Sequence, residues 1–402
     1  MKSRWPEQTL ATACLIKPPK SEARERLKAS DKVSFAPMED LGYEQKYLAA
    51  SKEKPMSSVV GSYTYFAEGD VLLAKITPCF ENGKLGIAKG LTNKVGFGSS
   101  EFIVFRPTKA LTNEWLYYYL SRDDFRRVGA QRMGGAVGHQ RVSKDFIENY
   151  TIPLPPIDEQ NRIVRLLDET LTKVAVASEN AKNSRDQSRA LFRSYLNRTF
   201  SKPGRGWVTT NIGTHIRFID YRGKTPKKTE SGLRLITAKN VKMGFLQETP
   251  REFVSPNSYN GWMTRGIPRR GDVLFTTEAP LANVAQLDTD EKVVFAQRII
   301  IMQTTPSTLD NTFLKYLLLS DPVQKRIHAK GTGATVKGIK ASLLRTVEIS
   351  FPKSVDEQRT IVAKLDKLNS ETQRLESIYQ QKIEALKVLK RSLLHSAFTG
   401  EL

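Results

Sequence analysis

The chain has 402 residues, with 63 basic against 42 acidic side chains, a net charge of +21, 39% hydrophobic residues, four His and two Cys. That length gives two or three domains, the apolar fraction excludes disorder throughout, and there is no run of ~18 apolar residues to cross a membrane. Cys14 and Cys79 stand in no CxxC or Cys/His pattern and the first residues form no apolar leader, so zinc sites, disulfide frameworks and secretion are not expected, and the protein reads as soluble and cytoplasmic.

In chain order, Trp5 precedes an unusually charged stretch at 18–32. Apolar runs at 71–74 and 102–105 predict strands, with a loop at 77–86 between them. Residues 113–121 (NEWLYYYLS) predict a short helix capped by Asn113, followed by a Gly-rich stretch at 132–141. Pro153, Pro155 and Pro156 bar helix up to there. Beyond them Val164, Leu167, Leu171, Val174, Ser178, Ala181, Arg185, Ser188, Phe192 and Tyr195 recur at steps of three and four, a heptad seam. Strands at 273–275 and 299–302 follow, then a helix at 311–320 capped by Asn311, then a Gly-rich stretch at 331–338. Ser354-Val355-Asp356-Glu357 has capping-box form. It opens a second seam of Ile361, Leu365, Leu368, Thr372, Leu375, Tyr379, Leu386, Leu389 and Leu393, with Lys382 in a skipped position.

The chain is written twice. The pattern of 191–200 returns at 389–398, Asp158-Glu159-Gln160 returns as Asp356-Glu357-Gln358, and Asp168 as Asp366, all at an offset of 198. Gly69-Asp70-Val71-Leu72 returns as Gly271-Asp272-Val273-Leu274 at an offset of 202, which also carries Trp5 to Trp207. The change in offset puts four extra residues in the first copy, near 77–86. The expected fold class is therefore α/β (α+β). Two similar mixed domains, 1–155 and 206–350, are joined by helical spacers, 156–205 and 351–402, of about 40 residues or ~60 Å each. The spacers pair as an antiparallel coiled coil between pseudo-twofold halves.

The excess charge is spread over these segments, at +6, +4, +9 and +2 in chain order. A folded surface of that kind attracts polyanions, because neutralising phosphates releases counterions. The densest basic patch is 217–242, and its candidate contacts are Arg217, Tyr221, Arg222, Lys224, Thr225, Lys227, Lys228, Lys239 and Asn240. In the first half the candidates are Lys75 and Lys84 beside the 77–86 loop, with Arg132, His139, Gln140, Arg141 and Lys144 around the Gly-rich stretch. Thr332 and Lys337, with Lys330 and Lys340, mirror these in the second half. No P-loop, dinucleotide fingerprint, HExxH, GxSxG or Asn/Asp-Pro-Pro-aromatic tetrapeptide is present, and the four His are scattered, so neither catalytic nor metal residues are expected. Two basic domains with a stiff spacer suit a reader of two sites. The residues alone leave open a methyltransferase or nuclease with diverged motifs, and a basic coiled-coil scaffold.

The run from Ile152-Pro153-Leu154-Pro155-Pro156 through Asp158-Glu159-Gln160, its second version at 349–362, Arg222-Gly223-Lys224-Thr225-Pro226, Leu235-Ile236-Thr237-Ala238-Lys239-Asn240-Val241 and the ending Ser396-Ala397-Phe398-Thr399-Gly400-Glu401-Leu402 resemble the specificity subunits of type I restriction–modification systems. The second motif departs from the family's pattern, with Lys353-Ser354 where a second Pro is usual. The resemblance implies two target recognition domains, each reading half of a split, asymmetric sequence in double-stranded DNA, with the helices setting the gap. It implies a non-catalytic chain without a cofactor of its own. Two modification subunits would carry S-adenosylmethionine and methylate adenine, and restriction subunits would carry ATP and Mg.

Overall fold

The structure is a computed structural model and describes residues 4–136, 138–221, 225–296, 298–333 and 337–402. It divides into two compact units, residues 1–181 with 381–402, and residues 182–380. Helices Ile157–Ser201 and Val355–Thr399, of 45 residues each, contribute to both. No described helix is long and apolar enough to cross a membrane.

The first unit holds a five-stranded sheet in the order Cys14–Ile16, Phe102–Pro107, Val71–Ala74, Leu85–Ala88, Tyr47–Leu48. A four-stranded sheet follows the order Lys52–Pro55, Lys32–Ala36, Val95–Gly98, Thr64–Ala67. The second unit repeats the plan with Ile216–Asp220, Ile299–Thr304, Val273–Thr276, Val284–Gln286, and with Lys228–Thr229, Glu252–Val254, Leu233–Ile236, Val294–Phe295. The central strands are unbroken apolar runs because both of their faces are covered. Val71 and Leu73 point into the core with Trp115 and Leu116, while Leu72 and Ala74 point into the core with Phe66 and Val104. In the second unit Val273 and Phe275 share one core, and Leu274 another. This is the twofold alternation of a strand.

The repeated Gly-Asp is a turn that ties strands together. Gly69 and Gly271 sit at φ +86 and +90, where a side chain is strained. Asp70 accepts from the Ala67 N–H at 2.7 Å and from Arg106 Nε at 2.8 Å. Asp272 accepts from the Arg269 N–H and from Gln303 Nε2, both at 2.7 Å. Burial pushes both carboxyls above their usual range. Between the strands that follow, the first unit spends eleven residues (74–84) and the second eight (276–283), so three of the four expected extra residues lie here.

Helices Asn113–Leu120 and Asn311–Leu319 correct the expected caps. Thr112 Oγ1 accepts from the Trp115 N–H, and Asp310 Oδ1 from the Thr312 and Phe313 N–H groups. The residue one position earlier holds extended backbone at the N-cap, from which its side-chain oxygen reaches the free N–H groups. The Asn side chains turn outward: Asn113 donates to the Gly69 carbonyl, and Asn311 accepts from Thr304.

The Glu-Gln motif explains how each long helix is seated. Gln160 and Gln358 are 0% exposed. Gln160 Nε2 donates to the carbonyls of Ala110 (2.8 Å) and Pro155 (2.9 Å), and its Oε1 accepts from the Thr112 N–H (2.9 Å). Gln358 repeats this with Thr308 (3.0 Å), Pro352 (2.8 Å) and the Asp310 N–H (2.8 Å). About two turns further on, Tyr118 donates to Asp168, and Tyr316 to Asp366 at 2.6 Å.

Within each unit the long helices pair antiparallel. In the first, Ile163, Val164 and Leu167 share a core with Leu394, Ala397 and Phe398, with Leu171 and Leu393 at its margin. Phe398 packs edge-on to Trp115 at 4.5 Å, and Arg391 pairs with Asp123 at 2.7 Å. In the second, Leu196 and Phe200 share a core with Leu365, flanked by Phe192, Tyr195 and Ile361. Phe200 packs on Phe313 at 5.4 Å, Arg193 pairs with Asp321 at 2.9 Å, and Arg189 pairs with Glu376 at 2.9 Å. Each unit is thus closed by the end of one long helix and entered by the start of the other. Val174 is buried, and Leu368, Tyr379 and Leu386 are half-buried. Leu375 and Leu389 correct the expected seam, being 37% and 44% exposed. Ile383 is buried where a seam residue was skipped, and Glu376 and Lys390 are half-buried. The seam takes two successive steps of four (368, 372, 376), which shifts the strict heptad back toward the 3.6 period of a straight helix.

Candidate nucleic-acid interface

In the second unit, strand Ile216–Asp220 delivers the chain to Tyr221, whose ring is buried. The Tyr221 hydroxyl donates to the Gly266 carbonyl (2.7 Å) and accepts from the N–H groups of Arg265 (2.9 Å) and Gly266 (3.1 Å). Arg265 donates to the Asp220 carbonyl. A Cβ on Gly266 would lie 2.9 Å from Ile219 Cδ1 and 3.2 Å from Arg217 Nη2, so glycine permits the close approach. The result is a clasp that ties the 265–266 backbone to Tyr221 and passes the Arg217 side chain close to Gly266. Thr225, Lys227, Lys228 and Lys239 are exposed nearby in sequence, and Lys228 is paired with Glu252 at 2.7 Å. Arg217, Lys227, Lys239, Arg269 and Lys337 form no ion pair among the described residues. Arg222 and Lys224 lie outside the described residues.

Two expected contacts are spent on the fold. Tyr221 is the bolt of the clasp. Asn240 is buried: its Nδ2 donates to the carbonyls of Gln247 (3.1 Å) and Pro250 (3.0 Å), and its Oδ1 accepts from the Thr237 N–H (3.0 Å). Tyrosine and asparagine suit base edges in a basic loop, but the same polar groups close turns.

The described ends of the Gly-rich stretches are set against the strand ends. In the first unit the Val142 N–H donates to the Lys75 carbonyl and the Thr77 N–H to the Gln140 carbonyl, both at 2.9 Å. In the second the Ile339 N–H donates to the Thr277 carbonyl at 2.9 Å, and Thr332 bridges Gly338. The fold therefore brings Lys75 to Gln140 and Arg141. Their charge is partly neutralised, since Arg141 grips Glu101 at 2.8 and 2.9 Å and Lys75 lies 3.8 Å from the same carboxylate. Lys84 is buried and donates to the Met38 carbonyl at 2.8 Å, which corrects its reading as a DNA contact. Arg132, His139 and Thr332 are exposed, and Lys144 pairs with Glu148 at 3.3 Å.

The larger cationic feature of the first unit was not among the expected contacts. Helix Ser21–Arg26 follows strand Cys14–Ile16 at the place where residues 221–228 follow Ile216–Asp220. It carries Arg24 and Arg26, with Lys17, Lys20 and Lys28 around it. Glu22 fastens it to Arg106, which also holds Asp70. Lys20 donates to the carbonyls of Val60 (3.0 Å) and Gly61 (2.8 Å). Burial, and after it the neighbouring charges of Arg24 and Lys17, lower its pKa. The repeat offset of 202 carries 217–228 back onto 15–26, so this counterpart had a signal in the sequence. Among the described residues no group of His, Cys, Asp or Glu is placed to hold a metal.

A family model described as the type I restriction modification DNA specificity domain matches residues 54–185 and 263–385. The chain is 33% identical over 180 residues to the type I restriction enzyme EcoAI specificity subunit of Escherichia coli, covering 44% of this chain and 31% of that one. It is 41% identical over 133 residues to the EcoEI specificity subunit of the same organism, covering 33% and 22%. Matched stretches thus span a third or less of these two relatives. A solved structure described under complex assembly and conformational transition of the type I R-M system aligns with a TM-score of 0.80 at 21% identity, over 100% of both chains.

Proposed function

The chain belongs to the type I restriction modification DNA specificity family, and we propose that it is the DNA-reading subunit of such a complex. Residues 1–155 and 206–350 are the recognition domains, and 156–205 and 351–402 are the spacers between them. The observation that carries this reading is one fold built twice, each copy closed by the end of a long helix and each bearing an exposed basic segment after the same strand. Phosphates position such a segment on the duplex and base edges give its sequence preference. The copies differ in these segments, the first carrying helix Ser21–Arg26 with Arg24 and Arg26 and the second carrying Thr225, Lys227 and Lys228 exposed, so the two half-sites they read differ. A pair of helices resists bending and sets the distance between half-sites. Two modification subunits, holding S-adenosylmethionine and methylating adenine, and restriction subunits using ATP and Mg are the partners, in the cytoplasm. The chain itself positions and does not catalyse.

Salt dependence tests the interface. In the complex with modification subunits, binding to duplex DNA measured by fluorescence anisotropy should weaken linearly on a log–log plot as salt rises. Lys227→Ala and Arg269→Ala should each reduce that slope by about 0.9, and Glu230→Ala should leave it unchanged. A salt-independent affinity with no sequence preference would point to a scaffold instead.

A further inference from the structure

We infer that Ile267 contacts the base pairs of the half-site read by residues 206–350, and that it sets sequence preference there; this rests on the DNA-reading function proposed above. The two units can be aligned through their buried aspartates, because the Ala67 N–H meets Asp70 as the Arg269 N–H meets Asp272. Ile267 therefore stands where the first unit has Tyr65. Tyr65 is 2% exposed, in strand Thr64–Ala67, and packs in a core. Ile267 is 61% exposed, and its segment belongs to no strand. One apolar position has been turned from core to solvent in one copy.

The segment that carries it is held firmly. On one side the Tyr221 hydroxyl binds Arg265 and Gly266; on the other the Ile267 carbonyl accepts from Gln303 Nε2 at 3.1 Å and the Arg269 N–H is fixed to Asp272 at 2.7 Å. Exposed Arg265, Arg269 and Arg270 surround it in sequence. Guanidinium groups draw the phosphate backbone to this loop. A rigid, branched apolar side chain in their midst cannot bond a phosphate. Its complement on a duplex is apolar: the thymine methyl in the major groove, or the faces of a base step that it wedges apart.

The test maps methylated adenines in cells carrying the complex with the wild-type chain, Ile267→Ala or Ile267→Val. Ile267→Ala should relax one base position, or two adjacent ones, in a single half-site, with about tenfold less discrimination there. The other half-site should be unchanged, and Ile267→Val should stay near wild type. Synthetic duplexes with deoxyuridine for thymine then separate the two contacts. If wild type loses affinity and Ile267→Ala does not, the methyl is the partner. If neither responds, but DNA bending measured by end-to-end fluorescence transfer falls in Ile267→Ala, the contact is a wedge. An unchanged motif and unchanged rates in Ile267→Ala would overturn the inference, as would loss of methylation accompanied by a lowered melting temperature. A wild-type chain that directs no two-part motif would instead defeat the function on which the inference rests.

Discussion

Adding one heptad to the middle of each long helix is expected to widen the gap between the two half-sites by about three base pairs. Seven residues extend a helix by ~10.5 Å, and the duplex rises ~3.4 Å per base pair. A heptad returns the seam to nearly the same face, so the apolar residues still meet. Both helices must be lengthened together, because each unit uses the start of one and the end of the other: Phe398 lies against Trp115, and Phe200 against Phe313. Lengthening one alone pulls a docked end from its pocket, and should abolish methylation rather than move it. Mapping of methylated adenines in cells bearing the doubly extended chain reads the gap directly. The half-sites themselves should be unchanged, since neither recognition domain is altered. The original gap in such a variant would count against the helices as the ruler.

The second large effect is on stability. Gln358→Leu should lower the stability of the chain by about 3 kcal/mol, and Gln160→Leu by a similar amount. Each amide serves two carbonyls and one N–H in a site sealed from solvent. Removing it leaves three backbone groups without partners, each costing about 1–3 kcal/mol less whatever water can reach. The variant side chain is of similar size, so packing loss contributes little. Thermal unfolding followed by circular dichroism gives the comparison. Asp356→Ala, on the exposed side of the same turn, should change stability by no more than ~0.5 kcal/mol. A Gln358→Leu chain as stable as Asp356→Ala would mean that the helix start is held by packing alone.

Those two glutamines also show what a single sequence can convey. The repeat at 158–160 and 356–358 was plain, and so was the helix it opens, because prolines before it and a capping box leave the backbone little choice. What the Gln does is not legible in the sequence, since two of its three partners lie about 50 residues away. Strands such as Val273–Thr276 were readable as apolar runs; that alternate residues face separate cores was not. The heptad rule placed Leu375 and Leu389 in the seam, yet a helix near 3.6 residues per turn carries them out of it. In the candidate interface, composition located the basic loop but could not separate Tyr221 and Asn240, which close turns, from Arg217 and Lys227, which face solvent. Hydrogen-bond geometry decides that. Ile267 carried no signal, because an isoleucine reads as core until its neighbours are known.

In the function proposed above, this chain chooses one two-part DNA site. The decisive measurement compares the methylated adenines of the host genome with the gene intact and with it deleted. The expected result is loss of a single motif, made of two different short sequences at a constant spacing, with every other methylated motif retained. An unchanged methylation map in the presence of active modification subunits, or loss of one uninterrupted sequence, would contradict it.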